Sequence, residues 1–203
     1  IYDHMFLDGL EDAYESGRLM GSFAEDCAKM FQFTRLEQDR YAIESLENAL
    51  GAQKNNLFAN EIVPVSYESK KDGIIEIRED QQPKKGSSQK ISALKPAFTS
   101  DGTVTAANAS SISDGAAAMV LCSEIYSSNF DLPVRARIKG YAGHAQEPGW
   151  FTTAPIPATK KLIDKLNWSV EEVDLWEVNE AFAVVPMAFM RELKVPRKKI
   201  NVN

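Results

Sequence analysis

Cysteine and histidine are scarce, with two of each in 203 residues. Cys27 and Cys122 make no disulfide framework, and so low a number fits a reducing compartment, with the cytoplasm as the expected location. No apolar run approaches the roughly 20 residues needed to span a bilayer, and no basic start, apolar middle and small-residue cleavage site marks a signal peptide. G-x-G-x-x-G, P-loop, H-E-x-x-H and C-x-x-C patterns are all missing, so nucleotide-motif, zinc and dithiol readings have no support and no metal site is expected. Positive charge is also in short supply. A net charge of −6 and a pI near 5.1 argue against a nucleic-acid or anionic-membrane partner. A Cys–His catalytic pair would have to use Cys27 or Cys122 with His144. Cys27 falls on an apolar helical face and Cys122 ends an apolar strand expected in the core, environments that raise a thiol's pKa. His4 lies near the start of the chain, and His144 sits in a Gly-containing loop that reads as solvated.

What is present is ordinary globular material, 44% hydrophobic and 26% charged, enough for one large or two small domains. Phe23, Cys27, Met30 and Phe31 recur at helical spacing over 22–32, with Ser22 and Glu25 as a possible capping box. A second box, Thr34-Arg35-Leu36-Glu37, opens the longest helix. There Leu36, Ile43, Leu46, Ala49 and Leu50 form one stripe, and Glu37, Asp39, Arg40, Glu44 and Glu47 read as a solvated face. Two extended runs follow at 62–65 and 74–77. A polar loop over 78–90 comes next, where Lys84, Lys85 and Lys90, with Lys70 and Lys71 before them, make the most basic part of the chain; lysines so placed are usually just solvated. The unalternating run 116–122 suits a strand covered on both faces, and 134–141 alternates as an edge or half-buried strand. A domain boundary is placed near residue 132. Beyond it a helix from Pro155 to Leu166, a turn at 169–172, a strand at 173–178 and another at 200–203 give the strand–helix alternation of a layered α/β fold class.

The strand run ends at Val178-Asn179-Glu180-Ala181-Phe182-Ala183, and helix formers continue from Ala181 to Leu193. Asn179 therefore reads as the residue at a helix N-terminus. There it either caps the helix or uses its amide, beside outward N–H groups, to hold a water or a developing oxyanion.

Several segments taken together resemble the thiolase family, and most closely its biosynthetic, acetyl-CoA acetyltransferase type. They are Met20-Gly21-Ser22-Phe23-Ala24-Glu25, Thr34-Arg35-Leu36-Glu37-Gln38-Asp39, Asn60-Glu61-Ile62-Val63-Pro64-Val65 and Leu94-Lys95-Pro96-Ala97-Phe98. They continue as Gly102 to Ala106 with Asn108-Ala109-Ser110, Asp114 to Ala118, Pro155-Ile156-Pro157-Ala158, Asn179 to Ala183 and Asn201-Val202-Asn203. Each is weak alone; all of them in family order are specific, and they run along nearly the whole chain.

The resemblance implies a layered α/β fold, present in part, with an α+β loop domain that binds coenzyme A. Residues 1–112 would be most of that loop domain, 113–131 the last strand and helix of the N-terminal half, and 132–203 the start of the C-terminal half. The chain opens without Met and closes in what reads as a strand, so it is expected to be an internal piece. The nucleophilic cysteine and the catalytic histidine of the family are expected outside it, and the piece alone inactive. Reversible Claisen condensation or thiolysis of acetyl-CoA and acetoacetyl-CoA is the implied reaction, with coenzyme A thioesters as substrates rather than a tightly bound cofactor, in a homodimer or homotetramer. By the same resemblance Asn179 would hold the oxyanion-hole water and Glu180 would support the catalytic groups from behind. Ala181, Phe182, Met20 and Leu10 would line the acyl and pantetheine channel, and Ser110 with Ala109 would contact pantetheine. Departures are Arg18-Leu19 where many biosynthetic members have a histidine before Met-Gly, Ala107 and Ser111 in place of common glycines, and Pro186 inside the expected helix. They leave two other expectations standing, a degradative 3-ketoacyl-CoA thiolase of longer chains and a non-catalytic coenzyme A-binding or assembly module.

Overall fold

The computed structural model describes residues 1–203. After a π-type turn at Phe6–Leu10, the main elements are α1 (Met20–Phe31) and α2 (Arg35–Lys54), then a hairpin of β1 (Val65–Ser69) and β2 (Gly73–Ile77). Short helices α3 (Gln82–Lys85), α4 (Ser88–Ile91) and α5 (Glu124–Asn129) follow, and α6 (Pro155–Leu166) and α7 (Val184–Leu193) complete the order.

The core forms where α1 meets α7. Ala24, Cys27 and Ala28 face Val184, Val185, Ala188, Phe189 and Leu193, with Val104, Ile156, Phe182, Val195 and Ile200 closing the cluster. Small residues on α1 let the two backbones approach, and Trp176 lies edge-on against Phe189 at 5.4 Å. Gly21 is required at the same interface: a Cβ there would lie 2.1 Å from the Phe98 ring.

Helices α1 and α2 both differ from the sequence reading. Helix α1 begins at Met20 behind Leu19, with no side-chain cap. Glu25 does not reach back to Ser22; it accepts from the backbone N–H groups of Thr103 and Val104 instead. The second capping box is present, since Thr34 Oγ1 accepts from Glu37 N–H and the Glu37 carboxylate accepts from Thr34 N–H at 2.7 Å. Helix α2 then buries Gln38, Asp39, Tyr41, Ala42 and Ala52, while Leu36 is 66% exposed and Leu50 lies at the surface. Of the face read as solvated, Glu37, Arg40 and Glu47 are exposed and Glu44 is half-buried, while Asp39 is buried together with Gln38 and Tyr41 beside it. Polar residues bury here because loops from elsewhere in the chain supply their hydrogen-bond partners, a condition periodicity does not register.

The Thr34–Glu37 box yields a pH prediction. Thr34 N–H and hydroxyl hold the Glu37 carboxyl below the ordinary carboxylate range. A depressed folded-state value stabilises above the unfolded pKa near ~4.3 and loses that contribution as pH falls through the folded value. Thr34→Ala is expected to cost about 1 kcal/mol at neutral pH. In urea unfolding the gap to the unsubstituted protein should narrow as the pH is lowered through the depressed folded-state value, below which the carboxyl is protonated in both. A gap independent of pH would contradict the assignment.

Sheet structure is limited to the β1–β2 hairpin, antiparallel with Val65 opposite Ile77 and Tyr67 opposite Ile75, together with a parallel bridge of Trp176 with Ile200 and two antiparallel bridges, Glu11 with Leu19 and Ala109 with Phe182. The runs 116–122 and 134–141 form no ladder. Val120 is 96% and Tyr141 81% exposed, and Cys122, expected in the core, is exposed. The apolar run at 116–122 and the alternation at 134–141 say nothing of a partner strand, and without one the backbone groups turn to solvent. The polar stretch 78–90, read as loop, carries the one-turn helices α3 and α4; its lysines are exposed, and Lys84 pairs with Glu79. The helix at 155–166 and the Ser169–Glu172 turn are as read, the latter closed by Ser169 N–H on the Glu172 carboxylate. No helix is long and apolar enough to cross a membrane.

Candidate active-site half and its support

Helix α7 starts at Val184 with Ala183 as its cap, so Asn179 lies five residues upstream of the first helical residue. Pro186 explains the late start. It occupies the first turn, the one place in a helix where proline's missing N–H and fixed φ are tolerated. The placement of Asn179 at a helix N-terminus is therefore corrected: it is neither cap nor neighbour of the α7 amides. Instead it belongs to an extended segment held from both sides, and its own side chain is exposed.

One clamp acts on Val178. Asn201 Oδ1 accepts from Val178 N–H and Asn201 Nδ2 donates to Val178 O, both at 2.8 Å, while Asn201 N–H donates to Trp176 O at 2.9 Å. Asn201 has a φ of 44°, a left-handed conformation that asparagine tolerates better than most residues. The other clamp acts on Glu180. Its Oε1 accepts from Tyr41 Oη and from Asn201 Nδ2, each at 2.7 Å, and its Oε2 accepts from Ser45 Oγ at 2.6 Å. Burial, and then the bond to Glu180, push the Tyr41 phenol well above its ordinary pKa, so it remains an O–H donor. The backbone carbonyl of Glu180 is also occupied, by Ser110 Oγ.

The loop of Asn108, Ala109 and Ser110 pairs with 181–183. Ser110 N–H donates to Ala181 O at 2.9 Å, Ala183 N–H donates to Asn108 O at 2.8 Å, and Ala109 bridges Phe182. Four of the sequence-predicted residues, Ala109, Ser110, Ala181 and Phe182, thus form one wall beside Asn179 and Glu180. Phe98 packs edge-on to Phe182 at 6.2 Å and also contacts Gly21, which connects the wall to the start of α1. Met20 packs against the same core. Leu10 is half-buried at the end of its turn and is not part of that cluster.

Behind the wall stands a polar scaffold drawn from the 34–39 segment. Asn108 is buried; its Oδ1 accepts from Thr105 N–H at 2.8 Å and its Nδ2 donates to Thr103 O at 3.0 Å and to Asp39 Oδ1 at 3.2 Å. Arg35 Nε donates to Asp39 Oδ2 at 2.8 Å, and its Nη2 reaches the carbonyls of Ile91 and Leu94. Gln38 Nε2 donates to Thr103 Oγ1 at 2.8 Å. The polar residues of that segment therefore fix the helix start, the 91–94 turn and the 103–108 loop. Sequence reasoning missed Tyr41, Ser45 and Asn201 as members of the site. Only the helical register of 38, 41 and 45 on one face hinted at the first two, and no local signal pointed to Glu180 as their acceptor.

The two cysteines lie in different surroundings. Burial raises the Cys27 thiol, and Cys122 lies on the exposed 116–122 run. His144, read as solvated, is half-buried and contacts Gln146 Oε1 at 3.0 Å and Lys161 Nζ at 3.1 Å. A surface groove of about 420 Å³, lined in part by Met30, Phe31, Trp150 and Glu192, contains none of the candidate site residues.

Comparison with known proteins gives the family. The sequence model of the thiolase N-terminal domain matches residues 1–125 and that of the thiolase C-terminal domain residues 132–203; the chain belongs to the thiolase family. A probable acetyl-CoA acetyltransferase of Dictyostelium discoideum is 44% identical over 201 residues, covering 99% of this chain and 48% of that protein. An acetyl-CoA acetyltransferase of Pseudomonas aeruginosa is 41% identical over 204 residues, 100% of this chain and 52% of its own length. Among solved structures, a thiolase of Ascaris suum in complex with coenzyme A aligns with a TM-score of 0.91 at 42% identity, over 98% of this chain and 51% of that one. The acetyl-CoA acetyltransferase of Bacillus anthracis gives the same TM-score at 38% identity, over 95% and 49%. The chain thus spans about half the length of the curated relatives it matches, and the partial thiolase fold expected from its sequence is the fold found.

Proposed function

We propose that this chain is the middle portion of a thiolase that transfers acetyl or short acyl groups between coenzyme A thioesters by reversible Claisen condensation and thiolysis. One observation carries the reading: in a thiolase chain, the Asn179 amide is exposed between two hydrogen-bonded neighbours, next to a wall made by Ser110, Ala109, Ala181 and Phe182. In the condensation direction a cysteine thiolate from the part of the protein outside this chain attacks acetyl-CoA and expels the coenzyme A thiolate. A base removes a proton from a second acetyl-CoA, and the resulting carbanion attacks the acyl-cysteine, forming the carbon–carbon bond and freeing the thiolate. Asn179 holds a water against the thioester oxygen as negative charge develops there, which is the step such donors accelerate. Glu180 keeps the segment in place. Ala181, Phe182 and Met20 line the acyl and pantetheine channel, with Leu10 at its outer end, and Ser110 and Ala109 lie along pantetheine.

The unpaired runs 116–122 and 134–141 support the same reading. Their exposed apolar residues are suited to sheets completed by the rest of the protein, with 1–112 as the coenzyme A-binding loop domain, 113–131 ending the first half and 132–203 opening the second.

A longer-chain, degradative preference is favoured by one feature. Arg18 stands near the position of the histidine common in biosynthetic members, and its guanidinium is engaged by Glu15 and Asp26 and stacks over Phe23 at 3.9 Å. The deciding experiment is thiolysis by the full-length protein with free coenzyme A, comparing kcat/KM for acetoacetyl-CoA and longer 3-ketoacyl-CoA substrates. A preference for acetoacetyl-CoA is expected. A preference for long chains would establish the degradative reading, and no turnover of any of them would leave only a coenzyme A-binding or assembly module.

A further inference from the structure

The bonds around Asn179 are unevenly distributed. Val178 and Glu180 are clamped by the bonds to Asn201, Tyr41 and Ser45, whereas the Asn179 side chain takes part in none of them. Two of those clamping groups come from α2, more than 130 residues away in sequence, and both of them meet the segment at one carboxylate, that of Glu180. Tyr41 is 5% exposed, and Arg197 stacks over its ring at 4.9 Å while pairing with Glu44 one turn along the helix at 2.9 Å. Asn48 Nδ2 adds a bond to Asn201 O at 3.0 Å. The α2 face thus grips both the segment and the residue that brackets it. Asn201 Nδ2 has two hydrogens and spends them on Val178 O and Glu180 Oε1, its approach to Tyr41 Oη being longer, 3.4 Å. Tyr41 therefore has Glu180 as its proton acceptor, and Glu180 Oε1 keeps two donors only while Tyr41 is present.

We infer that Tyr41 is a positioning residue for Asn179. Its hydroxyl, through Glu180, fixes the backbone from which the Asn179 amide projects, so that the amide presents one orientation to the reacting thioester oxygen. The inference rests on the proposed thiolase reaction. It differs from a general packing role because it predicts that the loss on removing the hydroxyl travels through Asn179 alone. Displacing a donor from the position of the developing charge lowers kcat far more than substrate affinity.

The test is a double-mutant cycle on the full-length enzyme. Tyr41→Phe keeps the ring and its packing under Arg197. It is expected to lower kcat for thiolysis about tenfold, with KM for coenzyme A within about twofold. In the Asn179→Ala background the same substitution should change kcat by less than about twofold, since the group it positions is gone. Ser45→Ala removes the donor to the other oxygen and should show a smaller loss with the same dependence on Asn179. It serves as the second arm if Tyr41→Phe lowers the yield of folded enzyme. An undiminished kcat in Tyr41→Phe, or an equal factor with and without Asn179, would overturn the inference. Absence of thiolysis by the unsubstituted enzyme, or an Asn179→Ala variant as fast as it, would instead remove the functional reading, an outcome seen before the Tyr41 arm is interpreted.

Discussion

Asn179→Ala in the full-length protein is expected to lower kcat for thiolysis of acetoacetyl-CoA by about 10²–10³-fold, the usual loss when an oxyanion-hole donor is removed. The fold gives little reason for any other effect. Asn179 is exposed and outside the hydrogen-bond clamps on Val178 and Glu180, and α7 is capped by Ala183 rather than by this residue. Its removal should leave the urea midpoint unchanged within about 0.5 kcal/mol, as for other surface substitutions. Asn179→Asp is the sharper variant. It has nearly the same shape but exchanges an N–H donor for a second acceptor and a negative charge, so its kcat should fall below that of Asn179→Ala. An aspartate variant as active as the native enzyme would show that no donor is needed at this position.

The largest stability effect is expected at Asp39. Its side chain is 5% exposed and that of Arg35 25%, and Asp39 Oδ1 is also the acceptor for buried Asn108. Removing one partner of a buried pair typically costs 3–5 kcal/mol because the other is left unpaired. Arg35 retains some solvent and its carbonyl partners at Ile91 and Leu94, so about 3 kcal/mol is expected for Asp39→Ala. The urea midpoint should fall with the slope unchanged. Arg40→Ala, one residue on and exposed, should stay within about 0.5 kcal/mol. Because Asn108 O accepts from Ala183 N–H, Asp39→Ala should also loosen the wall at 109–110 and raise KM for coenzyme A. Equal effects at 39 and 40 would mean that α2 is, after all, solvated on this side.

These two residues mark what could and could not be read without coordinates. The Thr34–Glu37 box, α6 and the extended run at 74–77 were legible because each depends on residues within a few positions, whereas the run read at 62–65 meets its strand only at Val65. The α2 packing face was not. Its Gln38, Asp39 and Tyr41 are buried by Thr103, Asn108 and Glu180, which lie 65, 69 and 139 positions away, and a helical wheel assigns polar residues to solvent by default. The strands at 116–122 and 134–141 are unpaired in this chain for a related reason: an apolar run or an alternating one marks a strand-former, but a strand exists only with its partner. Of the residues that the family-ordered segments named, Ala109 and Ser110 do lie against Glu180, Ala181 and Phe182 in the fold, beside Asn179. The local reading of a helix N-terminus was wrong in geometry, and what fixes Asn179 is a pair of clamps on its neighbours rather than a helix dipole.

We propose that the chain carries the polarising wall of a thiolase site and takes its nucleophile and base from the rest of the protein. The most direct measurement follows thiolysis of acetoacetyl-CoA with free coenzyme A, run side by side on the full-length protein and on the 203-residue chain. Turnover by the full-length protein, with none by the chain, is the predicted result. Turnover by the chain itself, or none by the full-length protein, would contradict it.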